Sequence, residues 1–395
     1  MPYKKILEIA DILNGFAFQS KRYVENGIRV IRIANVQDGK IVDEQPCFYP
    51  SETRNEIEKY MLKEGDLLVS LTGNVGRVGL IPGDMLPAAL NQRVCCLRLK
   101  KDNIDLKYLF LYLRRKDFVR ECIKASKGVA QLNLSTKWLE NYEIPLPSLS
   151  EQKRIVDKIE ELFSELDSAI ETLKKTKEQL AVYRQSVLKE SFEDLQQETS
   201  LDQCIVEKPR NGYSEKGVDY ETKYRNLTLT ATTSGFFKED CFKYIDINID
   251  DDSYLWVKKN DILIQRANTL EYVGTSVVYT GEDNKYVYPD LIMKCRAKPE
   301  FFPHFLVYQL QSLNCRKYFR EHATGTAGSM PKINQKVVCS APIKIANKNI
   351  QQKIVQNINA QFKACESIEK TVNEALIQAD AMRQSILKKA FEGGL

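Results

Sequence analysis

The most constraining feature of the sequence is a long segment that occurs twice, 199 positions apart, with no insertion inside it. EQKRIVDKIEEL begins at Glu151 and corresponds to IQQKIVQNINAQ at Ile350; farther on, YRQSVLKESFE at Tyr183 corresponds to MRQSILKKAFE at Met382. In both copies apolar residues recur with alternating spacings of four and three, and neither proline nor glycine interrupts residues 150–192 or 349–392. This pattern is typical of a coiled coil. Each copy is therefore predicted to be one helix of about 43 residues, roughly 65 Å long.

The apolar stripe of each helix is predicted to form a seam between the two helices. Its members are Ile155, Ile159, Leu162, Leu166, Leu173, Leu180 and Val187 in the first helix, and Ile354, Ile358, Ile368, Val372, Ala375, Ala379, Met382 and Ile386 in the second. Polar pairs resembling capping boxes precede the stripes: Ser148 with Glu151, and Asn349 with Gln352.

Connectivity predicts the direction of the pairing. The end of the first helix and the start of the second adjoin the same block of sequence, so helices that share a seam must run antiparallel. Pairing centred on the middle of the seam opposes Leu162 to Ala379, Leu166 to Ala375 and Ala169 to Val372, so that large side chains meet small ones. The alternative is that each helix lies on its own domain instead of on the other helix.

The blocks outside the helices are also related to each other. GDLLVSLTGNVGRVGLI at Gly65 parallels NDILIQRANTLEYVGTSVV at Asn260, and YLFLYLRR at Tyr108 parallels FLVYQLQS at Phe305. Alternating or continuous apolar runs predict strands at 28–33, 67–71, 94–99, 227–230, 262–264 and 273–278. The predicted class is α+β: two similar mixed α/β domains joined by two long antiparallel coiled-coil helices, with a pseudo-two-fold relation. The predicted bounds are 1–147 for domain 1, 148–193 for helix 1, 199–346 for domain 2 and 347–392 for helix 2.

Composition and missing motifs favour a binding protein over an enzyme. The net charge is +5, and the ten cysteines and two histidines form no cluster with the spacing of a zinc site. The sequence contains no phosphate-binding P-loop, no Gly-x-Gly-x-x-Gly and no Asn-Pro-Pro-Tyr or Asp-Pro-Pro-Tyr motif. It has no apolar run of about 18 residues that could span a membrane. We therefore expect a cytoplasmic, non-catalytic protein without a metal site.

Three phrases carry a resemblance to a known family. GFAFQSKRYVENGIRVIRIANVQDGKI, GDLLVSLTGNVGRVG and IPLPSLSEQKRIVDKI together resemble the DNA-specificity subunit of type I restriction–modification enzymes. The resemblance covers the whole chain, although the second junction, APIKIANKNIQQKIV, departs from the family pattern because it lacks the second proline and the glutamate.

The resemblance implies a division of labour with other subunits. Each domain would be a target-recognition domain for one half of a split site in double-stranded DNA, and the helices would set the spacing. The expected partners are two methyltransferase subunits and, in the larger complex, two motor-nuclease restriction subunits. S-adenosylmethionine, ATP and Mg are expected in those partners and not in this chain.

Arginine, lysine, asparagine and glutamine on loops are the candidates for DNA contacts, because their donors and acceptors match base edges. In domain 1 the candidates are Lys21, Arg22, Asn74, Arg77, Gln92, Arg93, Lys127, Gln131 and Asn133. In domain 2 they are Lys208, Arg210, Arg266, Asn268, Thr269, Ser329, Lys332 and Asn334.

Other interpretations remain open from the residues alone. The glycine-containing loop LTGNVGRVG fits an ordinary hairpin, and ASKGVAQLN and ATGTAGSMPKIN fit simple surface loops. The competing function is a two-headed coiled-coil adaptor or structural protein that binds other proteins without DNA. Salt-dependent affinity for DNA would distinguish the two functions.

Overall fold

The computed structural model describes residues 2–100, 103–128, 131–325 and 330–394. These residues form two compact units. Unit 1 comprises residues 1–173 and 374–395, and unit 2 comprises residues 174–373. Each unit therefore contains one globular domain together with a segment of each long helix.

The globular part of unit 1 is mixed α/β. Its strands are β1 (Tyr3–Lys5), β2 (Ala10–Asn14), β3 (Ile28–Ile31), β4 (Val36–Gln37), β5 (Lys40–Ile41), β6 (Phe48–Tyr49), β7 (Leu67–Ser70), β8 (Val78–Leu80), β9 (Ala88–Leu90), β10 (Val94–Leu99) and β11 (Glu143–Pro145). Its helices are α1 (Ile6–Ile9), α2 (Arg54–Ile57), α3 (Leu106–Leu113), α4 (Lys116–Ala125) and α5 (Thr136–Glu140). The long helix α6 (Leu149–Glu193) follows.

The globular part of unit 2 has the same general composition. Its strands are β12 (Glu198–Ser200), β13 (Ile205–Asn211), β14 (Gly217–Val218), β15 (Tyr224–Leu227), β16 (Phe242–Ile245), β17 (Asp261–Gln265), β18 (Ser276–Val278), β19 (Ile292–Ala297) and β20 (Pro342–Lys344). Its helices are α7 (Leu201–Cys204), α8 (Thr230–Thr233), α9 (Pro303–Gln311), α10 (Leu313–Glu321) and α11 (Gln335–Cys339), and the chain ends in the long helix α12 (Lys348–Phe391).

Each unit contains its own four-stranded antiparallel sheet, and the two sheets have corresponding strand orders. The order is β2-β10-β7-β8 in unit 1 and β13-β19-β17-β18 in unit 2. The central strands are buried, and helices α3 and α9 pack on the corresponding sheets, as the repeated apolar runs predicted. The second sheet differs: β6-β3-β9 includes a parallel pair, whereas β14-β16-β15 is antiparallel throughout. The predicted α+β class is confirmed. The strand predicted at 227–230 is wrong beyond Leu227, because Thr230 already begins α8.

A buried glutamine fastens the start of each long helix to its own domain. The side-chain amide of Gln152 donates to the carbonyls of Asn103 and Pro147, and its oxygen accepts from the Asp105 amide. Gln351 repeats this arrangement in unit 2, donating to two backbone carbonyls and accepting from the Phe302 amide. These are the glutamines of the repeated Gln-x-x-Ile-Val phrase, so the repetition preserves a specific set of backbone hydrogen bonds.

The first residues of the helices are capped as follows. The Glu151 amide donates to the Ser148 hydroxyl, which agrees with the predicted cap of α6. In α12 the cap is Asn347, whose side chain accepts from the Ile350 amide. The predicted cap at Asn349 is therefore wrong, because that residue already lies inside the helix.

The helix segments run antiparallel within each unit. In unit 1, Arg383 forms an ion pair with Asp167. In unit 2, Lys177 donates to Asn373 and Arg184 pairs with Glu369, so ascending positions on α6 meet descending positions on α12.

The register of these contacts differs from the predicted one. In an antiparallel helix pair, the residue numbers of opposed positions have a nearly constant sum. This sum is 550 for Asp167 and Arg383, whereas it is 541 for the predicted pairs of Leu162 with Ala379 and Leu166 with Ala375. Tyr183 with Gln361 gives 544 and Arg184 with Glu369 gives 553, so the predicted oppositions are out of register by three to twelve residues. Aromatic contacts between helix ends and domains account for the difference. Phe391 packs on Tyr108 in unit 1, and Phe192 packs on Phe305 in unit 2.

The two heptad positions of the predicted seam are not equally buried. Along α6 and α12 the consistently covered position comprises Ile159, Leu166, Leu173, Leu180 and Val187, and Ile358, Cys365, Val372, Ala379 and Ile386. At the other heptad position, Ile368 is 47% exposed and Met382 is 55% exposed, so their assignment to the buried seam is wrong. Two helices alone cover only a narrow stripe, which leaves the second position at its rim.

The remaining predicted seam residues are buried or half-buried. Leu162, Ile354 and Ala375 are half-buried, and Ile155 is buried. Ile155 packs with Tyr108 and Leu111 of the domain, so part of the first stripe serves the attachment of the helix to its own domain. Both interpretations of the apolar stripe, helix on helix and helix on domain, therefore apply to different stretches.

Candidate nucleic-acid interface

The first candidate surface lies at one edge of the four-stranded sheet in unit 1. Strand β7 ends where β10 begins, because Ser70 is paired with Val94. The loops at this edge are tied together: the Leu71 amide donates to the Arg93 carbonyl, and Thr72 pairs with Asn133. Residues from three distant parts of the sequence are therefore neighbours at this edge.

A cleft of about 500 Å³ opens among these loops and is called cleft 1. It is lined by Ile33, Ala34, Gln37, Glu44, Gln45, Gly73, Asn74, Arg77 and Gln131. The Arg77 guanidinium donates to the Gln37 side-chain oxygen at 2.7 Å, and its backbone amide donates to the Ser70 hydroxyl. Cleft 1 thus presents several amide groups, one carboxylate and one arginine that already has a hydrogen-bond partner.

The second candidate surface lies at the corresponding edge in unit 2. Strand β17 ends at Gln265, which is paired with Ile292 at the start of β19. Both backbone polar groups of the next residue, Arg266, are hydrogen-bonded. Its amide donates to the Leu291 carbonyl, and its carbonyl accepts from the Ile333 amide. Ala267 then pairs with Lys332, just as Thr72 pairs with Asn133 in unit 1.

A cleft of about 450 Å³, called cleft 2, opens at this edge. It is lined by Pro209, Arg210, Asn211, Tyr254, Arg266, Met293, Asn334 and Gln335. The Arg210 guanidinium lies 3.6 Å from the centre of the Tyr254 ring, a close cation–π contact. The Nε of Arg266 is buried and has no hydrogen-bond partner among the described residues.

Buried tyrosine and arginine side chains hold the backbone around cleft 2. The Tyr288 hydroxyl donates to the Arg210 carbonyl, and burial raises the pKa of Tyr288, so the hydroxyl keeps its proton. Burial lowers the pKa of Arg316 to about 10, and this guanidinium remains charged at neutral pH. It donates to the carbonyls of Glu271 and Val273, which fixes the loop after Arg266.

A glycine in each loop allows a helix to pack closely behind the sheet edge. Gly76 has φ +76° and Gly274 has φ +79°, which other residues rarely adopt. A Cβ at Gly76 would lie 2.9 Å from Cys122, and one at Gly274 would lie 2.4 Å from Phe319. These glycines position the loops by close packing, a reason that the sequence pattern did not reveal.

The structure brings most of the predicted DNA-contact residues of unit 1 to a single edge. Asn74, Arg77 and Gln131 line cleft 1, while Gln92 and Arg93 are exposed on the adjoining loop. Lys127 pairs with Asn133 through the backbone.

The predicted pair Lys21 and Arg22 is placed differently. Neither residue lines cleft 1. Arg22 stacks on Tyr49 and lies 3.7 Å from Glu56, and Lys21 is exposed beside it.

In unit 2 the predicted residues divide into cleft and periphery. Arg210, Arg266 and Asn334 line cleft 2. Lys208 is exposed on β13, and Thr269 and Lys332 are exposed on the neighbouring loops. Ser329 lies outside the described residues.

Three predicted asparagines have structural hydrogen bonds that a search for base-reading residues could not anticipate. Asn334 caps α11 by accepting from the Val337 amide. Asn268 donates to Gln265 and accepts from the Thr269 amide, and Asn133 accepts from the Thr72 hydroxyl. These side chains hold the loops together, and a direct role in reading bases stays a prediction.

Tyr254 is the clearest cleft residue that the sequence pattern did not reveal. It lies in the segment DDSYLW, far in sequence from Arg210, and only folding brings the ring beneath the guanidinium. An aromatic residue in a polar loop is the only signal that could have identified it.

Two further features, a metal-binding cluster and a membrane-spanning helix, are absent from the described parts of the chain. Those residues contain no group of three or more histidine, cysteine, aspartate or glutamate side chains that could hold a metal ion. Within the same residues, no helix combines the length and apolar character needed to cross a membrane.

Comparison with known proteins gives consistent matches over the chain. Residues 1–181 match the family model described as the type I restriction modification DNA specificity domain. The EcoKI specificity subunit of Escherichia coli (strain K12) is 23% identical over 98% of this chain and 87% of its own length. The EcoBI specificity subunit of Escherichia coli is 26% identical over 98% of this chain and 84% of its own length. The MjaVIII specificity subunit of Methanocaldococcus jannaschii is 32% identical over 47% of this chain and 43% of its own length.

Solved structures agree with these matches at the level of the fold. A structure reported for complex assembly and conformational transition of the type I R-M system superposes with a TM-score of 0.71, at 17% identity, over 100% of this chain and 98% of that one. The HsdS subunit from Thermoanaerobacter tengcongensis gives a TM-score of 0.52, at 17% identity, over 100% of this chain and 97% of that one.

Proposed function

Because this chain belongs to the family of type I restriction–modification specificity subunits, we propose that it recognises a split site in double-stranded DNA, with one half read by each unit. The observation that supports this proposal is the repeated sheet edge. The same strands and loop pairings recur in both units, but cleft 1 and cleft 2 present different side chains. A common frame with different contact groups suits two half-sites of different sequence.

The long helices are proposed to set the distance between the half-sites. Helices α6 and α12 contain 45 and 44 residues, and the sequence repeat within them has no insertion. Length is thus the property that the repetition has kept, while the recognition surfaces have diverged.

The chemistry of modification and restriction is assigned to partner subunits. We propose that the chain binds two methyltransferase subunits and, in the larger complex, two motor-nuclease restriction subunits. S-adenosylmethionine, ATP and Mg would be bound by those partners, and this chain would be non-catalytic. Large exposed apolar residues on the long helices, such as Val182 and Ile377, are suitable for helix–helix contacts with a partner. The cytoplasmic location expected from the sequence stays a prediction.

The decisive experiment is a map of modified bases in a host that expresses the chain with its methyltransferase subunit. The expected result is one motif made of two specific parts and a spacer of fixed length. A contiguous motif would overturn the proposal of a split site. A chain without salt-dependent affinity for DNA would favour an adaptor that binds only proteins.

A matched variant tests the role of the helices. Inserting one heptad between Leu166 and Leu173 and another between Cys365 and Val372 adds about 10.5 Å to each helix. We expect both half-site sequences to persist with a spacer longer by about one to three base pairs, since duplex DNA rises about 3.4 Å per pair. An active variant that modifies only the original spacing would show that the helices do not set it.

A further inference from the structure

Cleft 1 and cleft 2 differ in charge, although they open at corresponding edges of equivalent sheets. Cleft 1 contains the carboxylate of Glu44, and its arginine, Arg77, is hydrogen-bonded to Gln37. Cleft 2 contains two guanidinium groups, and none of the described residues that line it carries a carboxylate. Cleft 2 therefore concentrates positive charge without a counter-ion of its own.

Arg266 is the central residue of this arrangement. Its backbone is fixed by hydrogen bonds to Leu291 and Ile333, so the side chain starts from a defined position at the sheet edge. Its Nε is buried with no partner among the residues that the structure describes. Because this Nε is out of reach of solvent, the terminal nitrogens of the guanidinium are the groups that can donate to an acceptor in cleft 2.

Among the residues that line cleft 2, the two arginines are the charged donors. Asn334 is engaged in capping α11, and the Gln335 amide donates to the Pro209 carbonyl. The Arg210 guanidinium lies over the face of the Tyr254 ring. Stacking restricts the side chain but leaves the edge of the guanidinium open for hydrogen bonds in its plane.

We propose that cleft 2 binds a phosphate group of the DNA backbone through Arg266 and Arg210, and that it positions unit 2 on the duplex without reading a base. The proposal rests on the function proposed above and changes the role expected for these two arginines. It also assigns Tyr254 as the residue that positions Arg210.

The shape of the site favours phosphate over a base edge. Phosphates project from the duplex and can enter a concave cleft, whereas base edges lie at the floor of a groove and require a side chain that protrudes. The planar fork of arginine matches two phosphate oxygens, and two arginines without a carboxylate complement their negative charge.

The first test measures DNA affinity of the full chain in complex with its methyltransferase subunits. Fluorescence anisotropy would compare Arg266→Ala with the unchanged protein on a duplex that carries the mapped motif and on a scrambled duplex, over a series of salt concentrations. We expect both duplexes to bind about ten-fold more weakly, the slope of log affinity against log salt to fall by about one, and the modified motif to remain the same. The double variant Arg210→Ala/Arg266→Ala should lower the slope by about two.

A matched control uses Arg120→Ala on helix α4 of unit 1, outside both clefts. Because Arg120 is exposed and pairs with Asp117 on the same helix, its removal should leave the salt slope and the modified motif nearly unchanged. Relaxation of the motif at one position in Arg266→Ala would identify a base contact and overturn the proposal, and so would unchanged affinity for both duplexes.

A second measurement does not depend on whether Arg266→Ala folds. Methylphosphonate replacements, introduced one at a time, remove the charge of single phosphates in the duplex. We expect one position beside the half-site of unit 2 to weaken binding of the unchanged protein, and the same position to matter less for Arg266→Lys. If no such position exists on a duplex that is bound specifically, cleft 2 does not hold a phosphate. If the unchanged complex binds no split site at all, the proposed function itself fails.

Discussion

Unit 1 and unit 2 each contain a corresponding four-stranded sheet, the same loop pairings at its edge and the same attachment to a long helix. They differ in the side chains exposed at that sheet edge. In unit 1 the arginine at that edge is bonded to a glutamine, and a glutamate lines the same cleft. In unit 2 the corresponding cleft has two arginines, one stacked on tyrosine and one whose buried Nε has no hydrogen-bond partner among the described residues. The frame is constrained by burial and by backbone hydrogen bonds, whereas the edge is exposed and free to change. The difference teaches that repetition preserved the scaffold and not the contact surface.

The largest expected effect concerns a buried ion pair that occurs in both units. Asp261 is 2% exposed in its side chain and faces both Arg296 and Lys294; Asp66 is 5% exposed and faces Arg98. Replacing either aspartate by alanine leaves buried or half-buried cations uncompensated, a loss of about 3–5 kcal/mol. Asp261→Ala should be the more damaging change because it leaves two cations.

Hydrogen–deuterium exchange of the central strands, β7 and β17, measures this difference unit by unit. Protection should fall in β17 for Asp261→Ala and in β7 for Asp66→Ala. A greater loss in unit 1 than in unit 2 would contradict the comparison.

The second largest expected effect is a loss of stability that should be equal in the two units. Gln152→Met and Gln351→Met each remove one side-chain amide and leave three backbone groups without their partner, which should cost about 2–3 kcal/mol. Urea unfolding, followed by exchange at the start of each long helix, provides the measurement. Gln356→Met, at an exposed position of α12, is the control and should have little effect. Effects at Gln152 and Gln351 that differ by more than about 1 kcal/mol would show that the two attachments are not equivalent.

A smaller effect distinguishes the two heptad positions of the helices. Ala379 is buried, so Ala379→Leu should overpack its surroundings and cost about 1–3 kcal/mol. Met382 is largely exposed, and Met382→Ala should change the free energy of unfolding by less than about 0.5 kcal/mol. Thermal unfolding of the two variants tests the assignment, which fails if Met382→Ala is the more destabilising.

The smallest expected effect would make cleft 1 resemble cleft 2. The double variant Gln37→Ala/Glu44→Gln removes the acceptor bonded to Arg77 and the carboxylate of the cleft. Affinity for a scrambled duplex should then rise by up to about ten-fold, equivalent to about 1.4 kcal/mol, with a steeper salt dependence. Anisotropy on the scrambled duplex is the readout. An unchanged affinity would mean that the local charge of cleft 1 does not limit its contact with DNA.

The sequence alone determined the features that depend on local periodicity and on repetition. The heptad stripes predicted two long helices, and the observed helices Leu149–Glu193 and Lys348–Phe391 follow from them. The paired apolar runs predicted the central strands of both sheets, and their equivalence identified two similar domains. These features were predictable because hydrophobic periods of 3.5 and 2 residues are fixed by the geometry of helix and strand.

The tertiary structure decided what depends on contacts between distant residues. Helix register follows from Phe391 on Tyr108 and Phe192 on Phe305 together with the attachments at the helix starts, so a pairing centred on the seam was out of register. Ile368 and Met382 lie at the rim because one partner helix covers only a narrow stripe. Arg210 meets Tyr254 only through folding, and Asn334 became a helix cap. A residue type indicates which bonds a side chain can make, but its neighbours in space determine which bonds it does make.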